Sequence, residues 1–168
     1  MPKFPEVPDE YLKAIGEVTV RWNYLEQMVN LFLIHLLGKS IAEDRSHIVF
    51  AHMAFPQKMD VMGALVEELS KLGKPIAWTE YKSTVQPILK KAQSGRNMVI
   101  HSLWGKHEGK VKRASISARG SLKFSWIETT LQEIEDVTQS IEEARATLSA
   151  LAGPDWKESI RLHKVGKT

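Results

Sequence analysis

Apolar residues recur at intervals of three and four near the start of the chain, which is the spacing of one face of an α-helix. The predicted first helix runs from Asp9 to about Leu37. Its apolar face consists of Leu12, Ile15, Val18, Trp22, Leu25, Met28, Val29, Phe32 and Leu36. Asp9 is a suitable cap for its start, and Gly38 supplies a stop at its C-terminus.

Three further stretches have helical spacing before residue 105. We predict helices over about 42–53, 57–72 and 80–104, the last capped by Thr79. Proline disfavours helix in the residue before it, so the Phe55-Pro56 step ends the second of the four helices. Pro87, in the early turns of the fourth, is expected to kink it.

The hydrophobic period then changes from that of a helix to that of a strand. Residues 110–117 and 121–127 flank Arg119-Gly120, and apolar and polar residues alternate in the second segment, which predicts a short hairpin. Helical spacing returns over 128–151 and ends at Gly153-Pro154. The predicted fold class is an all-α bundle of about five helices, with a short basic β-hairpin (about 106–127) inserted before the last long helix.

Composition fits this architecture and limits the classes of protein. A chain of 168 residues, 43% hydrophobic and 26% charged, suits one globular domain, which we expect over 1–153 with a mobile C-terminal tail over 154–168. The absence of cysteine excludes disulfides and thiolate metal sites. The N-terminus has no signal-peptide core, and the longest apolar run, 28–37, is interrupted by polar residues and too short to span a bilayer. We therefore expect a soluble, cytoplasmic protein with no membrane partner.

The charge is mildly basic, +3 with a pI near 9.1, and is unevenly distributed. The predicted RNA-binding residues are Lys106, Lys110, Lys112, Arg113, Arg119 and Lys123. Two interpretations stay open: the basic hairpin follows an RNA backbone, or its lysines protect a solvated sheet edge. Trp104 has two interpretations as well, stacking on a base or packing at the end of the bundle.

The segment SGRNMVIHSLW, residues 94–104, places polar residues inside an apolar helix. Asn97 and His101 are four residues apart and share a face, whereas Arg96 lies roughly 140 degrees round the helix from His101 at 3.6 residues per turn. Histidine titrates near neutrality and suits proton transfer, and arginine offers a charged planar fork for phosphate oxygens. Together they suit attack of a ribose 2′-hydroxyl on the adjacent phosphate, without a metal or another cofactor.

Other interpretations of these residues are structural. The polar residues of the segment can form a network that only specifies dimer packing. Gly95 either weakens the helix or permits close approach of a second subunit. Glu26 pairs with Arg96, lies next to the cleft, or is an ordinary exposed helix residue. The histidines at 35, 47 and 52 lack the spacing and the carboxylate partners of a metal site, so no metal is expected.

The motif Arg96-Asn97-Met98-Val99-Ile100-His101 resembles the R-x4-6-H signature of the HEPN superfamily, in which a polar residue follows the arginine. The pattern Trp22-Asn23-Tyr24-Leu25-Glu26 in a long first helix, and the position of the motif in a late helix, extend the resemblance over about residues 8–151. The resemblance implies an all-α bundle that forms a homodimer, with the two motif helices meeting in one cleft.

The resemblance also implies an activity. Many HEPN members are metal-independent endoribonucleases, including toxins and phage-defence nucleases, while others are inactive or only bind nucleotides. Carried over by position, Arg96 stabilises the phosphate, His101 transfers protons and Asn97 supports it. RNA, a second copy of the chain, and a cognate antitoxin or other partner protein are the implied partners. A non-catalytic module that binds nucleotides or a protein, and a purely structural helical dimer, remain the alternatives.

Overall fold

The computed structural model describes residues 7–38, 45–74, 77–117 and 123–165, except for the side chains of 116, 117, 123 and 154–165. It is mainly helical with one small antiparallel sheet. The elements are α1 (Asp9–Leu36), α2 (Ser46–Ala51), α3 (Phe55–Lys71), α4 (Trp78–Glu80), a π-helical turn (Tyr81–Val85), α5 (Gln86–Ile100), β1 (Leu103–His107), β2 (Lys110–Ser117), β3 (Lys123–Glu128) and α6 (Leu131–Val165). Within the described ranges, no helix has both the length and the apolar character needed to cross a membrane.

The chain divides into two compact units. The first unit consists of residues 1–22 and 91–141, and the second consists of residues 23–90 and 142–168. Three helices, α1, α5 and α6, each contribute residues to both units. The single domain expected over 1–153 therefore stays a prediction.

The first helix agrees with its prediction. It begins at Asp9 and ends at Leu36, and Gly38, at a φ of 66°, donates its backbone N–H to the carbonyl of His35. A φ in this left-handed region favours glycine, which explains the stop. The apolar face that the spacing indicated is buried at Val18, Trp22, Leu25, Val29 and Phe32. Leu12, at the same spacing, is 53% exposed.

The next helices are displaced by a few residues from their predicted bounds. The predicted start of the second helix lies outside the described residues, and α2 ends at Ala51 rather than at residue 53. Pro56 lies in the first turn of α3, where its missing N–H has no helical partner to lose. The Phe55-Pro56 step thus starts α3 as well as separating it from α2.

The predicted fourth helix is a continuous segment of α4, the π-helical turn and α5. The π-helical turn directly precedes the first turn of α5, which contains Pro87. Proline cannot donate to the carbonyl four residues earlier, that of Ser83, and its ring would crowd that carbonyl in a regular α-helix. The wider turn accommodates the ring at the position where we expected a kink.

The end of this helix was predicted too late. The last helical residue is Ile100, not residue 104, although the N–H of His101 still donates to the carbonyl of Asn97 at 3.1 Å. Leu103 and Trp104 lie on β1, opposite Ala114 and Arg113 of β2. These cross-strand hydrogen bonds join residues about ten positions apart, so the local pattern of apolar residues does not reveal them.

The predicted hairpin is a three-stranded antiparallel sheet in the order β1-β2-β3. The two strands of the prediction correspond to β2 and β3, and the strand added is β1. Glu108 and Gly109 form the two-residue turn between β1 and β2, with φ of 54° and 77°, as a tight hairpin of the I′ type requires. The predicted turn at Arg119-Gly120 lies outside the described residues.

A reciprocal cap starts the last helix. The N–H of Thr130 donates to the Glu133 carboxylate at 2.7 Å, and the N–H of Glu133 donates to the Thr130 hydroxyl at 3.2 Å. Gly153, with φ of 76° and ψ of −178°, interrupts the helix at the predicted position, but helical backbone resumes and continues to Val165. The mobility expected for 154–168 stays a prediction.

Candidate active site

The predicted catalytic residues lie together at the C-terminal end of α5, in the first unit. Arg96 is half-buried, whereas Asn97 and His101 are exposed. Because the helix ends at Ile100, His101 occupies the first position beyond it, where its ring faces solvent. The segment therefore ends in an accessible polar cluster rather than continuing as a core helix.

Arg96 is the centre of this cluster. Its Nη1 donates to the Asn97 Oδ1 at 3.1 Å and lies 2.9 Å from the Nε2 of His101. The separation of 140 degrees on the helix is thus bridged by the length of the arginine side chain. We had expected Asn97 to orient the imidazole, but in the described residues the hydrogen bond to His101 comes from Arg96 instead.

The contact between Arg96 and His101 fixes the form of the imidazole. A guanidinium has only donors, so the Nε2 of His101 accepts and the ring proton lies on Nδ1. A protonated ring has no acceptor and cannot keep this hydrogen bond. The contact therefore directs an acceptor nitrogen of His101 toward Arg96.

The ring of Trp22, on α1, packs against the guanidinium of Arg96, a contact that the sequence did not reveal. The Arg96 Cζ lies 5.6 Å from the centroid of the Trp22 ring, within the range of a cation–π interaction, and Trp22 is only 3% exposed. The Nε of Arg96 is buried without a hydrogen-bond partner. The guanidinium is thus held over an aromatic face, with Nη1 directed to the exposed side chains.

Gly95 allows a close approach within the chain. A Cβ at this position would lie 3.1 Å from both Cγ1 and Cγ2 of Val137, on α6. That separation is shorter than ordinary van der Waals contact, so α5 and α6 approach here because residue 95 has no side chain. We had favoured an approach between subunits at Gly95; the neighbour found is Val137 of the same chain.

Glu26 forms an ion pair with Lys58. Its Oε1 accepts from the Nζ of Lys58 at 2.8 Å, in the second unit. The Lys58 side chain is 3% exposed and that of Glu26 is 31% exposed, so the pair joins a buried cation to a partly solvated carboxylate. The sequence did not indicate this pairing with Lys58.

Four of the predicted RNA-binding residues, Lys106, Lys110, Lys112 and Arg113, belong to β1 and β2 but do not share one face. Cross-strand partners and residues two apart lie on the same side of a sheet. By the register, Lys110 and Lys112 lie on one face, and Lys106 and Arg113 lie on the other. Arg119 and the side chain of Lys123 lie outside the described part of the structure.

Two of these lysines have acidic partners. Lys110 pairs with Glu128 at 2.7 Å, and Lys112 pairs with Glu108 at 3.0 Å. The hydrogen bond from Lys112 lowers the pKa of the Glu108 carboxyl, which keeps it ionised. Both carboxylates are exposed to solvent, so phosphate oxygens can replace them.

Trp104 has a structural role. Its indole N–H donates to the carbonyl of Val99 at 2.9 Å, and the side chain is half-buried. Val99 is in the last turn of α5, where carbonyls lack helical partners, so the tryptophan satisfies one of them. Ser102 satisfies another, since its hydroxyl donates to the carbonyl of Met98 at 2.6 Å.

The described residues contain no group of three or more histidine, aspartate or glutamate side chains placed to hold a metal ion. Comparison of the chain with protein-family models, with curated proteins and with solved structures found no match.

Proposed function

We propose that the protein is a metal-independent endoribonuclease that acts as a homodimer in the cytoplasm. The observation that carries the proposal is the hydrogen bond of 2.9 Å between the Arg96 guanidinium and the Nε2 of His101 at the exposed end of α5. A phosphate-binding cation and a proton-transfer group thus lie within one hydrogen bond of each other, on a helix end that solvent reaches.

Arg96 binds the scissile phosphate in this proposal. Its guanidinium forms a planar fork that matches two phosphate oxygens, and its charge stabilises the extra negative charge of the transition state. Binding RNA transfers Nη1 from His101 and Asn97 to the phosphate. Trp22 keeps the guanidinium in place during this exchange, since a cation–π contact needs no hydrogen bond.

His101 transfers the proton. Once the Nη1 of Arg96 donates to the phosphate, the Nε2 of His101 is free to accept the proton of the ribose 2′-hydroxyl. The 2′-oxygen then bonds to phosphorus, the bond from phosphorus to the 5′-oxygen breaks, and the leaving 5′-oxygen takes a proton. The products are a 2′,3′-cyclic phosphate and a 5′-hydroxyl end.

A dimer supplies both proton-transfer groups. The leaving oxygen needs an acid at the moment when the attacking hydroxyl needs a base, and a single histidine cannot be both in one step. Two copies of the Arg96–His101 pair in one cleft provide one neutral and one protonated imidazole. The resemblance of RNMVIH to the HEPN signature supports this arrangement.

The test is cleavage of a labelled RNA in the presence of EDTA. We expect the wild type to cut, and His101→Ala and Arg96→Ala to lose at least about 100-fold in rate, the usual contribution of a proton-transfer group. His52→Ala is the matched control, because His52 is likewise an exposed histidine just beyond a helix end. Equal rates in all four proteins at unchanged stability would contradict the proposal.

The second candidate is a non-catalytic module that binds nucleotides. The observation in its favour is that Arg96 occupies the Nε2 of His101, the atom that a base must have free. In that case phosphate binding would persist without cleavage. A fall in RNA affinity with salt, together with no wild-type cleavage, would identify this module.

A further inference from the structure

The three-stranded sheet has an exposed face that carries aromatic side chains. The register places Leu103, Ala114 and Trp126 side by side across β1, β2 and β3, and Phe124 lies two residues before Trp126 on the same face. Leu103 is 58% exposed, Phe124 54% and Trp126 40%. We call the side of the sheet that carries Leu103, Phe124 and Trp126 the aromatic face, after its two rings.

The two rings of this face hold each other in place. The centroids of Phe124 and Trp126 are 5.5 Å apart and their planes are at 88°, the edge-to-face arrangement that aromatic pairs favour. One ring therefore supports the other while much of both remains in contact with solvent. Covering apolar rings of this size lowers the free energy, so this face is suited to binding a partner.

Charge identifies that partner. Residues 103–128 contain six lysines and arginines and two glutamates, so this segment has a net charge of +4 in a chain whose total is +3. The remaining residues thus have a net charge of −1, and the basic character of the protein is located in this segment. Lys110 and Lys112 lie on the same face as the aromatic rings by register. Lys110 pairs with Glu128, and Lys112 pairs with Glu108 and also lies 3.3 Å from the Nδ1 of His107.

We propose that the aromatic face binds single-stranded RNA, with bases stacked on Phe124 and Trp126 and phosphates beside Lys110 and Lys112. Flat rings next to cations match the alternation of bases and phosphates along a single strand. In duplex RNA the bases are already stacked on one another and are not available to such a face. Trp104 does not contribute, because its register position opposite Arg113 places it on the other side of the sheet.

This proposal rests on RNA being the substrate and names the form in which it binds. The aromatic face and the Arg96–His101 pair both belong to the first unit. Unpaired nucleotides held on the sheet would have free ribose 2′-hydroxyls, as the proposed cleavage requires. The specificity expected is therefore for single-stranded regions rather than for a base sequence, since every base has a face that stacks.

The experiment measures binding separately from cleavage. The probe is a fluorescent single-stranded RNA of 12 nucleotides with 2′-O-methyl groups, which cannot undergo attack by a 2′-hydroxyl, and the readout is anisotropy with the full chain. Phe124→Ala and Trp126→Ala are each expected to weaken binding about tenfold, within the range of base stacking on a ring. Trp126→Phe keeps a ring and should retain affinity within about threefold.

Controls distinguish stacking from other causes. Tyr24→Ala removes an equally exposed aromatic ring, 61% accessible, from α1, and should leave the affinity unchanged. A duplex of the same sequence should bind at least about tenfold more weakly. Affinities of Phe124→Ala and Trp126→Ala within twofold of wild type would overturn the proposal, as would a change from dimer to monomer with unchanged affinity, which would assign the face to a second copy of the chain.

The two proposals fail in different ways. If Trp126→Ala weakens binding while His101→Ala still cuts at the wild-type rate, the aromatic face stands and the assignment of the nuclease site is wrong. If His101→Ala abolishes cleavage while both ring variants bind normally, the nuclease site stands and the aromatic face is wrong.

Discussion

Replacing Gly95 with alanine should lower the free energy of unfolding, although alanine is the better helix former. In a helix interior the exchange gains about 1 kcal/mol from propensity. Against this, the new Cβ would lie 3.1 Å from two methyl groups of Val137, a crowding that costs about 2 kcal/mol. The expected net loss is therefore about 1 kcal/mol, measured by urea denaturation.

The matched test removes the crowding. Val137→Ala alone should cost about 2 kcal/mol for the two methyl groups lost from a buried site. In that background Gly95→Ala should instead stabilise by about 1 kcal/mol, which gives a coupling of about 2 kcal/mol between the positions. A Gly95→Ala variant that is more stable than wild type with Val137 present, or a coupling near zero, would refute the close approach of α5 and α6.

Three further substitutions test other contacts of the structure. Glu26→Gln leaves the buried Lys58 cation without a counter-charge and should destabilise the protein by about 3 kcal/mol in urea denaturation. Burial raises the pKa of the Tyr81 hydroxyl to about 12, above its ordinary value of 10.0. The stabilisation that the neutral hydroxyl provides is therefore complete below pH 10 and is lost as the pH rises toward 12. The stability difference between wild type and Tyr81→Phe, measured by urea denaturation, should therefore shrink above pH 10. Trp22→Phe keeps a ring against Arg96 but weakens the cation–π interaction, and should slow RNA cleavage about three- to tenfold.

The Glu26 substitution has a matched control, and each of the other two has an outcome that would contradict it. Glu17→Gln disrupts an exposed pair with Arg21 and should change stability by less than about 1 kcal/mol; an equal loss at Glu26 and Glu17 would show that burial of the lysine is unimportant. A pH-independent difference for Tyr81→Phe, or full activity of Trp22→Phe, would contradict the respective reasoning.

The local spacing of apolar residues was sufficient to predict the long helices, but it missed one strand of the sheet. The predicted bounds of α1 are correct because its apolar spacing is regular over many turns and Gly38 ends it, both of which are properties of adjacent residues. The strand β1 was missed because its apolar residues, Leu103 and Trp104, also fit the end of a helix. Only its pairing with β2 decides between the two, and that pairing depends on residues distant in sequence.

The candidate site was likewise predictable only in part, for contacts between residues that are close in sequence. The spacing of Arg96, Asn97 and His101 indicated a cluster, and these side chains do meet, because all three lie within two turns of chain. The support from Trp22 was not predictable, since it joins residues 74 positions apart in helices whose packing the pattern does not specify. The contact of Gly95 with Val137 was not predictable for the same reason.

The most direct measurement of the central claim is the chemistry of the cleaved ends in EDTA. Attack by the 2′-hydroxyl at the Arg96–His101 pair predicts 2′,3′-cyclic phosphate and 5′-hydroxyl ends, no cutting where the ribose is 2′-deoxy, and loss of these products in His101→Ala but not in His52→Ala. Products with 3′-hydroxyl and 5′-phosphate ends, or the same cyclic ends from His101→Ala at the wild-type rate, would contradict the account.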